Sequence, residues 1–428
     1  RWKNFRDSLD PRKPLSPVWR TLRGIHSHPQ QRHPFTALAL HQSRSQLDVS
    51  GEFCAKIAGD ISIPIDLMPQ DVPVARDQQM EVAFTMEELH AALNTCRRSS
   101  SPGPDGVTYT ALRHLGPKAQ RCLLDIFNKS WHDGMVPDEW KCSRLVPLLK
   151  PGKSPFDLAS YWPIALASCV GKVMERMLLT RMEWYLEHYN IYPDAMAGFR
   201  RGRSSVDSLI DLVTSVQHQK AQKRLSVALF LDVKGAYDNV THEAVLNALE
   251  AAELGGRVFR WVRSYLTKRS MFLLTEDGST NKYFTSRGVP QGGVLSPTLF
   301  NLVLVGLTEM LPQTAYVSLY ADDICIWASG VTRPQVRVRI QKAATMTSTY
   351  LRQQGLTIAT EKCAAVAFTG KPMSFYSLCI DGRSIPYKST HRFLGVIVDR
   401  DLTWSPHVTY LKKKLIGIEN VLKFVARK

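Results

Sequence analysis

Two segments constrain this chain more than any others: "RLSVALFLDV" (residues 224–233) and "VSLYADDICIW" (residues 317–327). Each holds a short, nearly continuous apolar run, as expected of strands buried in a sheet. Each also carries carboxylate where an apolar run stops. Alternation puts Asp232 on one strand face with Phe230 and Ala228, while Asp322 and Asp323 fall at the natural turn between "VSLY" and "ICIW". A carboxylate ending a buried strand is costly unless something cationic meets it. Alone, the Asp322–Asp323 pair reads as an ordinary hairpin turn, where Asp is common. Asp232, ninety residues earlier, shifts that balance. Two such strands side by side would bring Asp232 and Asp322 together, and paired carboxylates can hold two Mg²⁺ about 3.5–4 Å apart, a geometry suited to in-line phosphoryl transfer.

The rest of the chain reads as an α+β arrangement. The first eighty residues are rich in proline and basic residues with little periodicity, and predict an extended arm or linker. Order begins at "TMEELHAALNTCRRS", where Thr85 and Glu88 form a capping box and Met86, Leu89 and Leu93 share a face. The turn-rich "SSSPGPDGV" ends that helix, and further helices are expected over residues 119–133, 170–189 and in "THEAVLNALEAAEL". "RSMFLLTEDGSTNKYFTSRG" predicts two strands joined by an Asp-Gly turn. At the end, Leu411, Leu415, Ile418, Leu422 and Val425 form one apolar helix stripe beside Lys412, Lys413 and Lys414.

Charge narrows the partners. With 55 Lys and Arg against 38 Asp and Glu, the formal net charge of +17 favours phosphate-rich ligands, although a merely basic surface gives the same figure. The eight cysteines form no C-x-x-C pair, which fits a reduced, intracellular protein. His26, His28 and His33 lie among Pro, Gln and Arg and read as solvated rather than metal-ligating. The longest uncharged stretch, residues 288–308, contains two prolines, Gln291 and Asn301 and makes a poor membrane span. No secretory signal opens the chain; it starts at Arg1 without Met, which suggests that residues were lost upstream.

Five motifs occur in order: "FLDVKGAYDNV" (230–240), "GVPQGGVLSPTLFN" (288–301), "YADD" (320–323), "GLTIATEKC" (355–363) and "HRFLGVIVDRDLTW" (391–404). Together they resemble the palm of a reverse transcriptase of the non-LTR (LINE-like) retrotransposon type. Upstream, "SSPGPDGV" and "RLVPLLKPGKSPFDLASYWPIALASCVGKVMERML" look like the fingers of that family, and "AGFRRGRSS" like its connection into the palm. The resemblance covers about residues 80–428. It implies a right-hand polymerase: an arm over residues 1–80, fingers over 81–225, a palm with an antiparallel sheet over 226–398 and the start of a truncated thumb from 399. Residues 144–398 would be the reverse transcriptase domain.

The resemblance also implies roles. Asp232 and Asp322 would bind two Mg²⁺ (Mn²⁺ as a substitute), supported by Asp323 and the carbonyl of Val233. Lys362 would protonate departing pyrophosphate. Tyr237 would lie under the nucleotide sugar and reject a 2′-hydroxyl, or else simply pack in the core. Gln291 and Gly292, with Gly293, would approach nucleotide and template. Lys150, Lys153 and Arg144 would meet the triphosphate or form a solvated basic loop. Arg97, Arg98, Arg200, Arg201, Arg203, Lys412, Lys413 and Lys414 would contact phosphates along the groove. The partners would be an RNA template, a DNA primer or target and dNTPs, within a ribonucleoprotein of the nucleus or cytoplasm, with no membrane.

Two departures stand out. "YWPI" (residues 161–164) puts Trp162 where relatives of this type carry an arginine thought to meet the triphosphate, and Lys362 follows Ala359 and Thr360 where Asn and Pro are common. The expectation is an active RNA-directed DNA polymerase. The alternatives are a degenerate, non-catalytic nucleic-acid-binding remnant and, less well matched, a group II intron or telomerase-type relative.

Overall fold

The computed structural model describes residues 33–58, 72–97, 99–369 and 377–426. Two sheets organise it. The first is built on β1 (Cys142–Leu149) and β2 (Tyr161–Leu166), an antiparallel pair, with later strands added to β1. The second is an antiparallel sheet of four strands in the order β7 (Ala315–Tyr320), β8 (Asp323–Gly330), β3 (Leu225–Asp232) and β9 (Ala364–Phe368).

In chain order, α1 (Thr36–His41), α2 (Gln46–Ala58), α3 (Met86–Thr95), α4 (Tyr109–Arg113), α5 (Pro117–Asp133) and α6 (Asp138–Lys141) precede the first sheet. After β2 come α7 (Cys169–His188), α8 (Ser205–Ala221), β3 (Leu225–Asp232), α9 (Ala236–Asn239), α10 (His242–Ala251) and α11 (Gly256–Leu266). Then follow β4 (Ser270–Thr275), β5 (Gly278–Ser279), β6 (Tyr283–Phe284), α12 (Ser296–Met310), β7 (Ala315–Tyr320), β8 (Asp323–Gly330) and α13 (Arg333–Gln353). The last elements are β9 (Ala364–Phe368), β10 (Leu378–Ile380), β11 (Arg383–Ile385), β12 (Thr390–Phe393), β13 (Val396–Asp399) and α14 (Ser405–Ala426).

The four-stranded sheet is covered on both faces, which is why β3 reads as an unbroken apolar run. Val227, Leu229 and Leu231, with Ile324 and Ile326 of β8, join the main core. Ala228 and Phe230, with Cys325 and Trp327, face a second cluster built from α8 and the β12–β13 hairpin, including Leu212, Phe393 and Val398. The capping box at α3 is present, and Arg181 of α7 clamps Glu88 with bonds of 2.6 and 2.8 Å.

Three expectations change. Part of the stretch read as an arm is helical: α1 and α2 bury Phe35, Leu38, Val49 and Phe53 against Leu145, Tyr161, Met271 and Leu273 of the first sheet. Val49, Phe53 and Ile57 keep the helical spacing within a proline-rich, basic stretch, and they complete a core that the one-sided first sheet cannot close. The turn after β4 is Glu276–Asp277, and Gly278 already pairs with Thr275 on the returning strand. Likewise Tyr320 pairs with Asp323, so the β7–β8 turn is Ala321–Asp322 and Asp323 opens β8.

The terminal helix α14 exists, and Lys412, Lys413 and Lys414 are exposed on it. Leu411, Leu415 and Ile418 of the predicted stripe are exposed as well, while the side chains of Leu422 and Val425 lie outside the described residues. Among the described residues, no helix is long and apolar enough to cross a membrane.

Candidate active site

Strand register assembles the carboxylates. Asp232, the last residue of β3, lies directly opposite Asp323, the first of β8, with Asp322 beside it in the turn. The expected partner by sequence was Asp322; the two-residue turn moves that residue off the ladder and leaves Asp323 as the cross-strand neighbour. The turn is tight, since Ala321 takes a left-handed φ of 55° without being glycine. It is braced from behind by Gly198 of "AGFRRG". A Cβ on Gly198 would stand 2.5 Å from the Ala321 nitrogen, and its carbonyl accepts a 2.7 Å bond from buried Asn301.

The electrostatics follow from this crowding. Asp322 and Asp323 both have raised pKa values, Asp323 to about 6, first because surrounding protein displaces water and then because the carboxylates repel one another. Lys362, on the loop before β9, donates a 2.8 Å bond to Asp232, which in turn raises the lysine pKa. Val233 forms a bridge with Ile358 in which the bonds run from Ala359 N–H to the Asp232 carbonyl and from Lys234 N–H to the Thr357 carbonyl, both 2.8 Å. That pattern leaves the Val233 carbonyl unused by the bridge. Hard oxygen donors from two or three residues, in place of a closed cage, suit Mg²⁺, which keeps water and substrate phosphate among its ligands. Among the described residues no three or more His, Cys, Asp or Glu side chains form a ready-made metal cage.

Next to the carboxylates lies a cavity of about 50 Å³ lined by Tyr237, Asp238, Pro163, Ala165, Arg287 and Gln291, among others. Tyr237 stacks on Phe300 with ring centroids 5.1 Å apart, so it is both a core-packing residue and a wall of the cavity. Burial and then the Asp322 charge push its phenol pKa upward. The Gln291 side chain donates from Nε2 to both carboxylate oxygens of Asp238, at 2.9 and 3.0 Å, and its main-chain carbonyl accepts from Ala165 N–H at 2.8 Å. Gly292 has a φ of 110°, and a Cβ there would meet the Ala165 oxygen at 2.9 Å, so β2 and this loop touch backbone to backbone.

The remaining candidates are less convergent. Lys150 donates to the Ala159 carbonyl at 2.8 Å, and its pKa is lowered by burial and then by Lys362. Arg144 and Trp162 occupy one face of the β1–β2 pair, whereas Ser143, Leu145, Pro163 and Ala165 on the other face line the cavity. The Arg144 Nε is buried without a hydrogen-bond partner. Arg200 is held bidentately by Glu187 at 2.7 and 2.8 Å, and Arg203 by Asp194 at 2.7 Å, so both reach the surface already ion-paired. Arg97, Arg201 and Lys153 are exposed, and Arg98 lies outside the described residues. The sequence reading passed over Asp238, Arg287 and Gly198. Asp238 immediately follows Tyr237, and Arg287 immediately precedes the "GVPQGG" motif, so both were within reach.

Comparison with known proteins gives the family. The chain is 27% identical to the RNA-directed DNA polymerase from mobile element jockey of Drosophila melanogaster, over 77% of this chain and 37% of that protein. It is 26% identical to the Pol polyprotein from the type-1 retrotransposable element R1 of Bradysia coprophila, over 80% of this chain and 34% of that protein. The chain thus spans little more than a third of these curated relatives. A solved structure of apo telomerase from Candida tropicalis, truncated from its C-terminal domain, aligns at 13% identity and a TM-score of 0.45, over 70% of this chain and 60% of that one, and adds no weight. The family model for reverse transcriptase (RNA-dependent DNA polymerase) matches residues 149–398, more than half of the chain. On that match, and with its paired strand-end carboxylates, the chain belongs to the reverse transcriptase family.

Proposed function

We propose that this chain is the polymerase core of a non-LTR retrotransposon reverse transcriptase, extending a DNA primer on an RNA template with dNTPs and Mg²⁺ (or Mn²⁺). The observation that carries the reading is the register match of Asp232 with Asp323, beside Asp322, at the open end of a sheet buried on both faces. Two Mg²⁺ held there would lower the pKa of the primer hydroxyl and neutralise the phosphates. Asp232 and Asp322 would supply the oxygens that hold the ions, with Asp323 and the Val233 carbonyl alongside. The primer 3′-hydroxyl would give its proton to solvent water as its oxygen bonds the α-phosphorus, and the bond from that phosphorus to pyrophosphate would break. Lys362 holds a proton at its Nζ, 2.8 Å from Asp232, and would give it to the departing pyrophosphate oxygen. Tyr237, wedged on Phe300, offers a ring edge that a ribose 2′-hydroxyl would strike.

The division into fingers (81–225), palm (226–398) and thumb (from 399) belongs to the same proposal, as does a ribonucleoprotein setting. Arg97, Arg201 and the exposed Lys412, Lys413 and Lys414 are the cations available to track phosphates, whereas Arg200 and Arg203 serve the protein first. The test is extension of a DNA primer on an RNA template by the purified chain, with Mg²⁺ or Mn²⁺. Extension by the parent, with loss of more than about a thousandfold in Asp322→Asn and RNA affinity nearly unchanged, is expected. Near-parental extension by the variant would overturn the metal assignment, and an inert parent that still bound RNA would favour the non-catalytic remnant.

A further inference from the structure

We infer that Asp238 is a positioning residue for Gln291, fixing which end of the glutamine amide faces the incoming nucleotide. The inference rests on the polymerase reading above and names a specificity-determining pair within it. An ionised carboxylate only accepts hydrogen bonds, and a glutamine amide has one donating and one accepting end. Because Gln291 Nε2 donates to both Asp238 oxygens, at 2.9 and 3.0 Å, the amide has its nitrogen turned to Asp238 and its oxygen turned the other way. The site therefore presents an acceptor, suited to a hydroxyl or amino donor on the nucleotide, in place of an amide free to rotate.

Backbone contacts on both sides keep the pair in place. Asp238 sits on α9 next to Tyr237, whose carbonyl accepts from Val289 N–H at 2.7 Å, and Gly288 N–H bonds the Val240 carbonyl at 2.8 Å. Gly288, with φ of 82°, lies so close that a Cβ would stand 2.8 Å from the carbonyl oxygens of both Tyr237 and Asp238. On the far side, the main-chain carbonyl of Gln291 accepts from the Ala165 N–H of β2, which leaves the side-chain amide oxygen out of that contact. Asp238 and Gln291 both line the cavity that Tyr237 borders. Burial raises the Asp238 pKa on balance, with Gln291, Lys150 and Arg287 opposing it. The contact of one amide nitrogen with both carboxylate oxygens is what marks Asp238 as the acceptor.

Asp238→Asn is the discriminating change, because an asparagine can offer either end of its own amide and releases the polarity of Gln291 without changing shape. In steady-state single-nucleotide extension, Asp238→Asn should raise the KM for dNTP about tenfold, with kcat within about twofold and primer–template affinity unchanged. In a Gln291→Ala background the same substitution should add nothing, since the residue it positions is gone. Binding of dNTP to a complex with chain-terminated primer gives the same comparison without turnover. Asp238→Ser is a second variant should the first fold poorly, with the same expectation. Unchanged KM and dNTP affinity in a folded variant, or a full additional loss in the Gln291→Ala background, would overturn the inference. A parent that neither extends primers nor binds dNTP would overturn the polymerase reading itself, and this inference with it.

Discussion

The two sheets of this protein handle polar groups in opposite ways. The four-stranded sheet is packed on both faces, and its charged residues emerge at one strand end, where register alone sets the position of Asp232 against Asp323. The β1–β2 pair is packed on one face by α1 and α2, and its other face leaves Val146, Leu148 and Trp162 exposed, Trp162 at 41%. In a sheet buried on both sides a one-residue slip would exchange residues between two differently packed cores, so packing on both faces fixes the register and suits groups that must be placed to a fraction of an ångström. A one-sided sheet ending in the Lys150 loop tolerates substitution and suits graded contacts. Changes to the carboxylates at the strand end of the four-stranded sheet should therefore abolish activity, and changes on the open face of the β1–β2 pair should only weaken it.

The comparison breaks first at Gly198→Ala. The added Cβ would stand 2.5 Å from the Ala321 nitrogen and 2.9 Å from Tyr320 backbone atoms, which cannot move as a side-chain end would. Pushing the Asp322 turn aside should cost on the order of a hundredfold in extension rate, with modest loss of RNA affinity, because a displacement of about 1 Å is enough for that. Near-normal extension would mean that the turn is softer than its packing implies.

Tyr237→Val probes selectivity at the same strand end. Removing the ring should narrow the preference for dNTP over rNTP about tenfold, read from the ratio of kcat/KM values for parent and variant. An unchanged ratio would return Tyr237 to core packing on Phe300 alone.

Acid stability sharpens the contrast through His242. This histidine on α10 is buried, bonds the Gly288 carbonyl at 3.0 Å, and is held neutral by burial, with its pKa lowered to about 4. The unfolded chain takes up its proton near the ordinary value of 6.5, before the native state does. Stability is therefore full above pH 6.5 and declines as pH falls from there towards 4, by on the order of 2–3 kcal/mol from this group. Thermal midpoints across that range should show a shallower slope in His242→Gln; equal slopes would assign the acid limit to other groups.

Trp162→Arg is the smallest expected effect. Trp162 and the cavity residues Pro163 and Ala165 lie on opposite faces of β2, so a new guanidinium would point away from Gln291 and Tyr237. Nucleotide KM should stay within about twofold. A tenfold fall would show that the triphosphate reaches the exposed face of the β1–β2 pair, where Arg144 also lies.

Much of this was legible in the chain itself, for identifiable reasons. The unbroken apolar run before Asp232 marked a strand buried on both faces, and the Thr85–Glu88 spacing marked the start of α3, because both signals are local and repeat at the period of the element. Helices α1 and α2 are harder to read because the surrounding prolines and basic residues suggest a linker, although Val49, Phe53 and Ile57 keep the helical period; the surface they bury against, Leu145, Tyr161 and Met271, lies roughly a hundred residues or more downstream. Period two told that Asp232 shares a face with Phe230, but whether Asp322 or Asp323 would stand opposite depended on turn length, which one residue alters.

Sequence by itself therefore determined the residue types that the chemistry needs, their order and the elements that carry them, since backbone propensity and apolar periodicity act over a few residues. Tertiary structure alone decided which of those groups are free. Arg200 is taken by Glu187, Lys150 by the Ala159 carbonyl, Lys362 by Asp232 and Gln291 by Asp238. The partners of the last two lie 130 and 53 positions away in the chain. A hydrogen bond is set by distances of about 3 Å in space, and no local pattern in the chain encodes a distance between segments that only folding brings together.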